Sequence, residues 1–240
     1  MEKKNLVEIK RGEEGHGLLI EHDGYISVDC GNNKQLFESF RNLNENSEKP
    51  FHCPNPFVVD AVFQKFGIEN ANGRIYPEAV LKREVEKYQI KIQERRAIGE
   101  CNHPSESVID LSRVAINIIE LHWEGHTLVG KMEILVSEGF RKSGIISCQG
   151  DQVAHLLLSG IKIGVSSRGL GTVTNKMGVL YVGDDFEIVC WDVVSDPSTP
   201  QAWIAPEGQI QQQWVESKEN THTKSQLVEK LEKFNDWLND

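Results

Sequence analysis

The sequence predicts an α+β protein, mainly antiparallel sheet with a few helices packed beside it. Short apolar, β-branched runs recur at residues 57–63, 113–123, 127–136, 179–182 and 186–194, with Gly, Asn, Asp or Pro between them. Two of these runs flank Glu124-Gly125-His126, which is a hairpin pattern. Helical periodicity is confined to residues 77–95, 150–159 and 225–238.

Residues 1–50 are polar and broken by turns, with short strands expected at 5–9 and within 17–28, and an exposed linker from Asn42 to Pro50. Residues 57–63 read as a buried strand. In Asn70-Ala71-Asn72-Gly73-Arg74-Ile75-Tyr76-Pro77, Asn-Gly marks a turn and Pro77 suits the first position of a helix. That helix runs to about Arg95, with Leu81, Val85, Tyr88 and Ile92 on its apolar face. Residues 97–104 form a short strand entering a turn, and the hairpin follows. A helix at 150–159 turns Val153, Leu156 and Leu157 to one side, and Gly160 ends it. Residues 163–171 read as a strand running into a glycine-rich turn. Strands at 172–174, 179–182 and 186–194 follow, then a proline-bearing turn at 195–200. Beyond residue 209 the chain turns polar, and Leu227, Leu231, Phe234 and Leu238 stripe a terminal amphipathic helix. The division expected is an N-terminal extension (1–50), a main domain (51–208), and a linker with a tethered helix (209–240).

The chain has 240 residues and a net charge of −10. An acidic surface disfavours nucleic acid and anionic membrane, and leaves proteins or small molecules as partners. Five widely spaced cysteines fit free thiols in a reducing compartment. No apolar run follows Met1-Glu2-Lys3-Lys4, and none approaches the roughly 18 residues of a membrane span, so neither a secretory signal nor a span is expected. Gly169 and Gly171 are too few and badly spaced for a nucleotide site, and no cofactor is expected.

Acyl-transfer chemistry is the reaction class with most support. Ser166 and Ser167 sit at a strand end beside Arg168, Gly169 and Gly171. A hydroxyl there can be reached, and the backbone amides near Arg168 and Gly169 are candidates to receive an oxyanion. Arg168 is a further candidate to bind a carboxylate or developing negative charge. A base is needed, and His103 is held between Gly99 and Pro104 with Glu100 and Asp110 nearby. A zinc site from His52, Cys53, Cys101 and His103 has the ligand types without the spacing. Cys101 as a thiol nucleophile shares a strand side with His103 but lies close to it along the chain.

Three blocks carry a resemblance: residues 70–77, Gly99-Glu100-Cys101-Asn102-His103-Pro104, and Gly164-Val165-Ser166-Ser167-Arg168-Gly169-Leu170-Gly171. Trp191-Asp192-Val193-Val194-Ser195-Asp196-Pro197-Ser198 with Gln201-Ala202-Trp203 adds a fourth. In this order they resemble the prohead core protein proteases of T-even-type tailed bacteriophages, over residues 57–206. The resemblance implies a serine endopeptidase of the herpesvirus-assemblin type, with an antiparallel β-barrel flanked by helices. It implies Ser166 and His103 as the catalytic pair and Asp110 as the acidic third member, with Glu100 in reserve. Strand alternation lets only one of Ser166 and Ser167 face His103.

The substrates implied are phage scaffold, core and major capsid proteins, cut after Glu in Leu/Ile-x-Glu inside the prohead, in the host cytoplasm. Self-cleavage and a homo-oligomer are implied too. Leu6-Val7-Glu8, Leu19-Ile20-Glu21, Leu36-Phe37-Glu38 and Leu227-Val228-Glu229 have that form. The rival reading is a non-catalytic β-barrel component of the prohead scaffold, and a metal hydrolase is the third.

Overall fold

A computed structural model describes residues 7–21 and 53–210. The linker at 42–50, the terminal helix, His52, and the triplets ending at Glu38 and Glu229 lie outside the described residues.

The strands are β1 (Gly15–Ile20), β2 (Val58–Lys65), β3 (Arg74–Ile75), β4 (Ile98–Glu100), β5 (Val114–Glu124), β6 (Thr127–Ile134), β7 (Gly164–Lys176), β8 (Val179–Val182), β9 (Glu187–Val194) and β10 (Ile204–Pro206). The helices are α1 (Glu78–Gln93), α2 (Glu138–Ser143) and α3 (Gln149–Leu158), with a 3-10 turn at Leu111–Arg113. One sheet runs β1-β7-β8-β3, with β9 also paired to β7; the other runs β10-β2-β6-β5-β4. All pairings are antiparallel except β3 with β8.

The α+β reading holds, and the closed barrel is corrected. Among the described residues, backbone pairing joins the two sheets only at the single bridges Cys101↔Val193 and Gly164↔Trp203. At the first seam Asn102 takes φ +65°, which turns the chain out of the ladder. At the second, Pro197 packs where a Gly164 side chain would stand.

A second correction concerns residues 163–171. They form no turn: β7 continues through Gly169 and Gly171, with a register shift against β9 between Arg168 and Gly169. Gly169 serves close approach, because a Cβ there would lie 2.4 Å from the Phe186 ring. The same holds for Gly99, where a Cβ would meet the Trp191 carbonyl at 2.0 Å. Only glycine lets β4 come so near β9, and that approach brings the turn after β4 to the site.

The core lies between the sheets and beneath the helices. Trp191 is its centre, edge-on to Phe63 at 5.8 Å and to Tyr88 of α1 at 4.9 Å. Leu81, Val85 and Tyr88 lie on the buried face of α1, as its periodicity predicts; Val80 and Glu84 are buried with them, and Ile92 is only partly buried. Pro77 stands one residue earlier than expected, at the cap, with the helix starting at Glu78. The 125–126 hairpin is as read, with Gly125 at φ +61°. Helix α2 was not legible; only six residues long, it holds its place through Phe140 and a Ser137 cap.

Asp151 ties α2 to α3. It accepts from Ser137 N (2.7 Å) and Oγ (2.8 Å), Ser147 N (2.8 Å) and Oγ (3.0 Å), and Cys148 N (3.1 Å). Burial raises its pKa, but these bonds outweigh burial and bring it down to about 2. Asp151→Ala is therefore expected to cost about 1–3 kcal/mol in urea unfolding at pH 7. The native pKa is depressed, so the contribution is complete above the unfolded-state value and is lost as pH falls toward 2. The gap between wild type and variant should close over that window.

Candidate active site

β4 carries the chain to Cys101, and Asn102 N then donates to Val193 O at 2.8 Å. His103 follows on this turn, with its side chain only 1% exposed. Its Nδ1 lies 2.7 Å from Asp192 Oδ2, in the middle of β9. Burial raises the Asp192 pKa, yet the His103 contact, the charge of Arg168 and the amide of Glu100 together hold it below the usual value. Asp192 is thus ionised at neutral pH, so His103 Nδ1–H donates to it. The proton-accepting nitrogen of the neutral ring is then Nε2.

Ser166 is the cross-strand partner of Asp192, and Arg168 is the partner of Cys190. These four residues share one face of the sheet, while Ser167, opposite Trp191, takes the other. Both serines are buried within β7, not set on an exposed turn. Arg168 is fully buried on the serine-histidine face. It pairs with Glu100 Oε1 at 3.0 Å and Asp192 Oδ2 at 3.0 Å, and donates to Glu106 O at 2.5 Å. Its charge is spent on neighbours of the site, and it braces Asp192 from behind.

The N-terminal strand completes the arrangement. β1 runs antiparallel along β7, pairing Ile20 with Arg168, and Glu21 N donates to Ser167 O at 3.2 Å. The next carbonyl, that of Glu21, accepts a hydrogen bond from Ser166 Oγ. The Glu21 carboxylate is wholly buried. Its Oε1 accepts from Arg74 Nη1 (2.8 Å) and Tyr76 Oη (2.6 Å). Its Oε2 accepts from Asn70 Nδ2 (2.6 Å), Asn72 Nδ2 (2.6 Å) and Ser198 Oγ (3.0 Å). Burial raises the Glu21 pKa, but Arg74 and these donors outweigh it, and the net direction is down.

Asp110 does not meet His103 in this structure. Its carboxylate caps the 3-10 turn, accepting from Ser112 N at 2.9 Å and Oγ at 2.7 Å. Asp192 occupies the position expected for Asp110, because β4 bridges to β9 and brings His103 beside it. Glu100, the reserve, pairs with Arg168 and accepts from the Asp110 amide at 2.8 Å, fixing the loop that follows His103. Burial raises the Cys101 thiol above its usual pKa, which disfavours the thiolate a nucleophile requires. The backbone at Arg168 and Gly169 runs between β1 and β9, paired on both sides. Asp192 was missed as a site residue; an acid inside the apolar run 186–194 was the available signal. The polar residues of 70–76 were read only as turn chemistry.

The chain is 27% identical over 186 residues to the prohead core protein protease of Enterobacteria phage T4, covering 76% of this chain and 84% of that protein. Among solved structures, the bacteriophage T4 capsid assembly protease matches with a TM-score of 0.52 and 27% identity, over 57% of this chain and 80% of that one. The family model described as prohead core protein serine protease matches residues 18–214. That span holds the end of β1 and all of β2 to β10, with His103, Ser166 and Asp192 inside it, and the chain belongs to the prohead core protein serine protease family.

Proposed function

We propose that this chain is a serine endopeptidase of prohead maturation in which Ser166 is the nucleophile, His103 the base and Asp192 the acid that orients the base. The observation that carries this reading is the 2.7 Å contact of His103 with Asp192 on the sheet face where Ser166 stands opposite Asp192. In the reaction, His103 Nε2 takes the Ser166 proton as Oγ attacks a peptide carbonyl carbon. The carbon–nitrogen bond then breaks, His103 returns the proton to the leaving amine, and water hydrolyses the ester on Ser166. Asp192 stays ionised throughout and stabilises the imidazolium.

The relatives' names, prohead core protein protease and capsid assembly protease, supply the substrate class. By that likeness the substrates are proteins of the prohead and capsid; cleavage after Glu in Leu/Ile-x-Glu, self-processing and scaffold proteins as substrates belong to the family resemblance read in the sequence and are part of this proposal. A fluorophosphonate probe tests the nucleophile. The expected result is one adduct, mapped by tandem mass spectrometry to Ser166, with loss of hydrolysis of a Leu-Ile-Glu-containing peptide. An adduct on Ser167, or unchanged hydrolysis after complete labelling, overturns the assignment. A chain that takes no label and cuts no peptide supports the non-catalytic scaffold reading.

A further inference from the structure

The Glu21 seat is more elaborate than anchoring a strand requires. Five side chains donate to one carboxylate, and each of the five residues is at least nine-tenths buried. Asn70 Oδ1 accepts from Asn72 N and Arg74 N, both at 3.0 Å, so the pocket is braced by its own turn. Ala71 N donates to Ser198 O at 2.9 Å and ties the two sides of the pocket together. A carboxylate holding five donors is fully matched; a carboxamide there would face Arg74 and Tyr76 with at most one acceptor oxygen and bring unwanted N–H groups.

The backbone beside this carboxylate is placed like a substrate. β1 adds to β7 as an extended antiparallel strand, with main-chain pairing from Gly15 to Ile20. Leu19 lies on the same strand side as Glu21 and is fully buried in the core. The Glu21 carbonyl, whose carbon carries the bond to His22, rests on the Ser166 hydroxyl.

We propose that Asn70, Asn72, Arg74, Tyr76 and Ser198 form the subsite that reads a substrate's glutamate, and that Glu21 fills it in cis, laying the Glu21–His22 bond against Ser166. This rests on Ser166 being the nucleophile. The chain then carries its own first substrate: the hydroxyl proton turns from the Glu21 oxygen to His103, and attack on the Glu21 carbon forms an ester. The Glu21–His22 bond breaks, the amine of His22 takes the proton from His103, and water then hydrolyses the ester, releasing the segment that ends at Glu21 and leaving a chain that begins at His22. Until that cut, Leu19-Ile20-Glu21 excludes a peptide in trans from the subsite. The subsite side chains all come from residues 70–76 and 198, so they remain when the segment departs.

The test uses the full chain, Ser166→Ala, Glu21→Gln, Asn72→Leu and the milder Ser198→Ala. Intact mass over time reads the cut in cis. Hydrolysis of paired peptides containing Leu-Ile-Glu-His or Leu-Ile-Gln-His reads the subsite, and thermal melts verify folding. The wild type is expected to gain a product starting at His22, and Glu21→Gln to lack it. The ratio of kcat/KM for the Glu over the Gln peptide is expected to fall about tenfold or more in Asn72→Leu and by less in Ser198→Ala. If Ser166→Ala still cuts, or no peptide is cut by any chain, the assignment of Ser166 falls and the subsite falls with it. If cutting depends on Ser166 but both folded variants keep the wild-type ratio, the subsite alone is wrong. Absence of a His22 product from an otherwise active chain overturns occupation in cis.

Discussion

Asp192→Asn is expected to lower kcat on a Leu-Ile-Glu peptide about 10⁴-fold, alongside comparable or larger losses in Ser166→Ala and His103→Ala. Asp110→Asn is expected to keep kcat close to wild type. The argument is one of tautomers. Ionised Asp192 accepts from His103 Nδ1–H at 2.7 Å, which in the proposed mechanism leaves Nε2 to take the serine proton. An asparagine in that place offers an N–H to Nδ1 and moves the ring proton to Nε2, where it blocks attack. Asp110 lies exposed and binds Ser112, so its loss touches only the 3-10 turn. The measurement is single-turnover hydrolysis with a thermal melt of each variant. A 10⁴-fold loss in Asp110→Asn with full activity in Asp192→Asn would reverse the assignment.

The contrast between these two aspartates shows how far the sequence is legible. Local signals placed the strands at 57–63, 113–123 and 127–136 and helix α1, because their patterns depend on neighbours a few residues away. Ser166 and His103 stood out through blocks of their own. Asp192 did not, because its partner is 89 positions away. Only pairing of β7 with β9, and the approach of β4 that Gly99 allows, brings the acid to the imidazole. The glycine-rich stretch misled for a related reason. Gly169 and Gly171 carry the composition of a turn, but their cause is the Phe186 ring packed on the strand. That cause lies in tertiary contact, which local propensity does not register. The Glu21 seat joins residues from three separated segments, so its parts were readable only as turn residues and as one of four Leu-x-Glu triplets.

Arg168 carries the other large effect. Arg168→Met is expected to cost about 3–5 kcal/mol of stability in denaturant unfolding, because it removes the buried cation that two buried carboxylates share. Glu100 and Asp192 are both fully buried, and both pair with this guanidinium at 3.0 Å. Burial lowers the Arg168 pKa, but the charge of Asp192 and the bonds with Glu100 and Cys190 raise it further, so the native pairing favours the charged form. Methionine has nearly the volume to fill the space but supplies neither charge nor donors, so Asp192 is left with His103 and the Glu100 amide, and Glu100 with Arg113 and the Asp110 amide, in a site short of one positive charge. The double variant Arg168→Met/Glu100→Gln should recover part of the loss by removing one stranded charge, although Glu100 also accepts from the Asp110 amide. The two roles for Arg168 separate cleanly by this measurement. A residue that receives an oxyanion would lose kcat on substitution and leave unfolding almost unchanged. A brace behind Asp192 loses stability first, and loses activity through misplacement of Asp192 and His103, with Glu100→Gln restoring some of both. An Arg168→Met chain as stable as wild type would show that the pair with Glu100 and Asp192 contributes little, and would return Arg168 to the list of groups that contact the substrate.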